Sequence, residues 1–159
     1  MIRVLIVDDQ NFVCEILQTS LESQPDLQVV GRANNGEIAI EQIEILDPDI
    51  VLMDINMPVM DGLTATQKIV RNFPQTNVII FSNSDEDFLR QNAINAGAKS
   101  YFSKTAKTNE IIAQIRLIYQ KYSDILPELK LGRIVSQTAE VSEEFILIKI
   151  LLKKYKNIA

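Results

Sequence analysis

Carboxylate, hydroxyl and amine side chains recur in this chain at the points where short apolar, β-rich runs stop. Asp8 and Asp9 follow Ile2-Arg3-Val4-Leu5-Ile6-Val7, and Asp54 follows Ile50-Val51-Leu52-Met53. Ser82 follows Val78-Ile79-Ile80-Phe81, and Lys104 follows Ser100-Tyr101-Phe102-Ser103. If those runs are parallel strands of one open α/β sheet, their carboxyl ends share a crevice, which is where such sheets bind ligands. Three carboxylates, a hydroxyl and an ammonium would then meet at one rim, although they lie far apart in the sequence. That set suits a divalent cation and a phosphoryl group, which need a metal on one side and a cation and hydroxyl on the other.

Each residue also has a plain alternative. Asp8 and Asp9 could be turn or helix-capping carboxylates. Asp61-Gly62 reads as turn chemistry, with Asp61 capping the next helix. Ser82 could be an ordinary strand-end hydroxyl and Lys104 a solvated surface lysine. Asp54 resists such a reading, because a carboxylate ending a buried strand is costly unless a positive group compensates. Lys104 and a bound Mg²⁺ are the two candidates for that charge. Asp9, Asp54 and a backbone carbonyl near Asn56 would suffice for the metal, with Asp8 binding directly or through water.

The elements that must position these groups follow from periodicity. The strand runs alternate with helical stripes: Val13, Ile16, Leu17 and Leu21, ended by Pro25; Ala39, Ile40, Ile43 and Leu46, after the Asn34-Asn35-Gly36 turn; and Ile69, Val70 and Phe73, closed by Pro74. Leu89, Ala93 and Ala96 form a fourth, stopped by Gly97, and Ile111, Ile112, Ile115, Ile118 and Tyr122 a fifth. Leu27-Gln28-Val29-Val30-Gly31 supplies a further strand. Five strand–helix alternations predict a doubly wound, flavodoxin-like parallel sheet covered on both faces. Periodicity leaves the strand order open; 2-1-3-4-5 is adopted as the commonest solution.

Beyond Tyr122 the alternation stops. Residues 123–140 read as a linker containing Pro127 and Gly132, and 141–159 as an amphipathic helix. Val141, Phe145, Ile148, Leu152 and Tyr155 form its stripe, widened by Leu147 and Leu151. Glu143 and Glu144 near its start and Lys153, Lys154 and Lys156 near its end favour the helix dipole.

Composition narrows the classes. The 159 residues, 47% hydrophobic, suffice for one good core, and the net charge of −5 argues against a uniformly basic nucleic-acid surface. The single cysteine, Cys14, excludes an internal disulfide and fits a reducing compartment. No leader and no bilayer-length apolar stretch is evident, so a cytoplasmic protein without membrane partners is expected. The chain has no histidine, so any chemistry must run on carboxylate, hydroxyl and amine.

From Ile2 to about Tyr122 the chain resembles the CheY-like receiver domain of two-component response regulators. The residues that carry the resemblance are Asp8-Asp9, Asp54 within Asp-Ile-Asn-Met-Pro-Val-Met-Asp-Gly, Ser82, Gly97-Ala98, Tyr101 and Lys104. The resemblance implies that residues 1–122 are a receiver domain in which Asp54 accepts a phosphoryl group from a sensor histidine kinase or phosphotransfer protein. It implies that Asp8, Asp9, Asp54 and the Asn56 carbonyl hold Mg²⁺, and that Lys104 bridges to Asp54 and then to phosphate. Ser82 would bond the phosphate, and Tyr101 would swing inward, remodelling the face of the fourth helix, fifth strand and fifth helix. Asn56 and Ser84, flanking the pocket, would tune hydrolysis. Beyond self-catalysed transfer and dephosphorylation, no enzyme activity is implied.

Many receivers have proline after the lysine, often with a cis bond; Thr105 stands here, so the bond is expected to be trans. That variation occurs in receivers joined to LuxR-type DNA-binding domains. Three readings of the whole follow. One is a self-contained receiver whose last helix packs on its own domain, a second copy or a partner, a homodimer being one outcome. Another is the front of a LuxR-type transcription regulator, with DNA as partner only if a further output domain exists. The third, a small aspartate-nucleophile phosphatase, needs a second acid two residues after Asp54, where Asn56 stands.

Overall fold

The computed structural model describes residues 1–125; residues 126–140 of the predicted linker and the predicted 141–159 helix lie outside the described residues. Strands and helices alternate as β1 (Ile2–Val7), α1 (Asn11–Glu22), β2 (Leu27–Ala33), α2 (Gly36–Leu46) and β3 (Ile50–Met53). They continue as α3 (Gly62–Asn72), β4 (Asn77–Ser82), α4 (Asp87–Asn95), β5 (Ser100–Ser103) and α5 (Thr108–Ile125). The five strands are parallel and ordered β2-β1-β3-β4-β5, as expected.

β3 and β4 are buried at every position because they lie inside the sheet with helices on both faces. This is why their sequences are nearly continuous apolar runs without alternation. Leu5, Leu52, Met53, Ile69, Ile79, Ile80, Ile111 and Ile115 are among the fully buried side chains. Each such burial contributes about 1.5–3 kcal/mol. Met1–Gln120 forms one compact unit.

Local chemistry sets the helix ends. The Asn35 side chain accepts the Glu37 and Ile38 N–H groups at the start of α2, and Asp61 accepts those of Leu63 and Thr64 at the start of α3. The predicted Asp61 cap is therefore present. Gly97, at φ 102°, ends the α4 segment in a conformation that side chains disfavour. Among the described residues no peptide bond is cis, so Lys104–Thr105 is trans.

One helix departs from its predicted stripe at Ile16, although Leu17 and Leu21 are buried as expected. In α1 the buried residues are Cys14, Leu17 and Leu21, whereas Ile16 is 48% exposed and Phe12 72% exposed. The apolar residues of α1 outnumber the positions its neighbours can cover, so packing chose the Cys14 row and left Ile16 outward.

Candidate functional site

Strand order brings four chain-distant residues together. β1, β3, β4 and β5 are consecutive neighbours in the sheet, and Asp8, Asp54, Ser82 and Lys104 stand at their carboxyl ends. The ladder runs on past the strands: the Asp54 N–H donates to the Val7 carbonyl at 2.8 Å and the Lys104 N–H to the Ser82 carbonyl at 2.7 Å. Backbone pairing therefore fixes where these side chains begin.

Carboxylate oxygens of Asp8, Asp9 and Asp54 lie within 4.8 Å of one another. Asp8 and Asp54 are buried, while Asp9 is exposed. Lys104 reaches into the cluster: its Nζ is 2.6 Å from Asp8 Oδ2 and 3.1 Å from Asp54 Oδ2. The shorter contact is to Asp8, whereas the sequence pointed to Asp54 as the partner; one cation serves both because two buried acids face it. Asp8 Oδ2 has no well-directed hydrogen-bond donor, so the Lys104 contact is a charge pair and that oxygen keeps capacity for another cation. Asp8 Oδ1 accepts the Gln10 N–H at 2.9 Å, so the turn role also holds for this residue. The Asp54 Oδ1 accepts the N–H of Ile55 at 2.8 Å.

Charge states follow from these surroundings. Burial raises the Asp54 carboxyl above the usual carboxylate range; Lys104 opposes that, and the Asp8 charge adds to it. Burial disfavours the Lys104 ammonium, but its close contact with Asp8 and the negative charges of Asp54 and Asp8 outweigh it, so its pKa is raised. Three acids and one ammonium leave the cluster net negative. The donors are all oxygen and close enough to share one ion, which fits a hard divalent cation such as Mg²⁺.

The loop after β3 holds Asp54 in place. Its Gly62 N–H donates to the Ile55 carbonyl at 2.9 Å, and a Cβ at Gly62 would overlap the Asp54 carbonyl oxygen. Only glycine permits that approach, which gives Asp61-Gly62 a purpose beyond capping. Val59 in the same loop has φ 67°, a strained region for a β-branched residue, and is 76% exposed. Asn56 is exposed in this loop.

Ser82 is fully buried, and its hydroxyl lies 3.5 Å from the Ser84 N–H. Tyr101 is only 5% exposed and its hydroxyl donates to the Ser84 carbonyl at 2.5 Å. Its ring lies inward, the position expected only after a swing. Arg90, which sequence reasoning missed, stacks its guanidinium 4.8 Å from the Tyr101 ring centre and donates to the Tyr101 carbonyl at 3.3 Å. Nothing in the spacing of Arg90 signals that contact, since it depends on how α4 lies against β5.

The profile of the response regulator receiver domain matches residues 4–116. The chain belongs to the response regulator receiver family. Like other receivers it shares sequence with Response regulator GacA of Pseudomonas viridiflava, 38% identical over 129 residues, which cover 81% of this chain and 60% of that protein. The chain thus spans less than two-thirds of the length of that relative. It is 35% identical over 154 residues to the Transcriptional regulatory protein LiaR of Bacillus subtilis, covering 97% of this chain and 72% of that one. Among solved structures, the response regulator domain of Thermotoga maritima CheB superposes with a TM-score of 0.70 at 33% identity, over 76% of this receiver chain and 97% of that domain. No helix among the described residues is long and apolar enough to cross a membrane.

Proposed function

We propose that Asp54 is the phosphoacceptor of a Mg²⁺-dependent two-component relay. The observation that carries this is the buried Asp54 within 4.8 Å of two further acids and 3.1 Å from Lys104. In the transfer, an Asp54 oxygen attacks the phosphorus of a partner's phosphohistidine. The P–N bond breaks, the imidazole keeps the electron pair and gains a proton, and an acyl phosphate forms on Asp54. Asp8, Asp9, Asp54 and the Asn56 carbonyl would hold the Mg²⁺. Bound there, the ion would neutralise charge on the transferring group.

The chain's own groups do the rest. Lys104 offers an ammonium that is charged at neutral pH and fixed by Asp8, ready to face a phosphate oxygen. The Ser82 hydroxyl, held among the described residues only by the long contact from Ser84, can turn toward that phosphate. New phosphate bonds then bias the β4–α4 loop and Tyr101, shifting the population of the α4–β5–α5 face that a partner reads. Beyond transfer and hydrolysis of its own phosphate, the domain is a switch rather than an enzyme. It acts in the cytoplasm on a sensor kinase's phosphohistidine, and residues 1–122 constitute the receiver.

A second reading, that the chain is the front of a DNA-binding regulator, is supported by its match to LiaR, which is described as a transcriptional regulatory protein. The phosphoryl reading is tested by crystals soaked with magnesium and beryllium fluoride. Density for both beside Asp54 is expected; neither ion there overturns it.

A further inference from the structure

The geometry points to Arg90 as a latch that holds Tyr101 inward through protein contacts alone. Three contacts converge on one guanidinium. Its carbon lies 4.8 Å from the Tyr101 ring centre, one nitrogen donates to the Tyr101 main-chain carbonyl at 3.3 Å, and another faces Asp85 Oδ1 at 3.5 Å. The far end of the same ring is tied down by its hydroxyl, which donates to the Ser84 carbonyl at 2.5 Å.

Ser84 and Asp85 both belong to the loop between β4 and α4, directly after Ser82. Arg90 therefore joins α4, that loop and β5 around one aromatic side chain. A planar guanidinium can stack on a ring and donate in its own plane at once, which an ammonium cannot do. Its side chain is 46% exposed, so the latch sits at the surface, where it can open without unpacking the core. The inward Tyr101 is stabilised by groups that do not belong to the acidic cluster, and Arg90 sets how much of that conformer exists before phosphoryl transfer. This rests on the phosphoswitch reading only for its consequence, that Tyr101 position governs output.

The test is the rate at which tetranitromethane nitrates Tyr101 in the full chain, followed by peptide mass spectrometry with Tyr119 as internal reference. Arg90→Leu keeps an apolar cover on the ring but removes the charge and both donors. Nitration of Tyr101 should rise by at least about two- to fivefold, the change expected from losing one exposed cation–ring contact. Arg90→Lys, which keeps the charge without the planar fork, should fall between wild type and Arg90→Leu. Equal Tyr101 rates in all three proteins would overturn the latch, as would an equal rise at Tyr119, which marks general loosening. No phosphodonor is present, so the result is independent of whether Asp54 accepts phosphate.

Discussion

Replacing Lys104 by methionine keeps the length of an apolar stem and removes the one cation shared by Asp8 and Asp54. The side chain is 7% exposed, with Nζ at 2.6 Å and 3.1 Å from the two acids. At an effective dielectric of about 20, each attraction amounts to about 5–6 kcal/mol before desolvation is subtracted. Desolvation cancels much of that, and removing one member of a buried charge group leaves a loss of about 3–5 kcal/mol. Urea unfolding in chelator at pH 7 should show it. The loss should shrink as pH falls, because protonating Asp54 removes the uncompensated charge. Magnesium should restore more stability to the variant than to wild type, since the variant's acids lack their internal partner; hundredfold excess over Kd adds about 2.7 kcal/mol. A loss below about 1 kcal/mol, the size of a surface pair, would refute this reasoning. So would a magnesium increment no larger than in wild type.

Three further outcomes are expected. Asp54→Asn should be more stable than wild type at pH 7 without magnesium. Asp54 has a folded pKa above the unfolded 3.8, so its favourable contribution exists below 3.8 and is lost as pH rises through the folded value; thermal melts across pH should show the gap closing in acid. Val59→Asn should raise stability by about 1 kcal/mol in denaturant unfolding, because asparagine tolerates φ 67° at this exposed site better than valine. Asp61→Ala should cost about 1 kcal/mol, since it orphans the Leu63 and Thr64 N–H groups at the start of α3; no measurable change would contradict the cap.

Much of this architecture was readable from residue pattern. Buried parallel strands such as Val78–Phe81 show as unbroken apolar runs, and Gly97 and Asn35-Gly36 mark helix ends by their own conformational chemistry. The convergence of Asp8, Asp54, Ser82 and Lys104 was legible because each ends a strand and parallel strands end on one side. The choice of Cys14 over Ile16 beside Leu17 and Leu21 in α1 was not, because both lie next to the same apolar row and only tertiary packing selects between them. The preference of Lys104 for Asp8 over Asp54 was equally hidden, being a difference of half an ångström between two acids. Arg90 and the strained Val59 left no trace, since both depend on backbone placement that periodicity does not encode.

The central claim is that Asp54 forms an acyl phosphate with help from a divalent ion held by its neighbouring acids. Intact mass after incubation with acetyl phosphate tests it directly, with wild type and Asp54→Asn compared in magnesium and in chelator. One added phosphate on wild type in magnesium alone is predicted. Equal labelling of Asp54→Asn, or no labelling of wild type under any condition, would contradict the account.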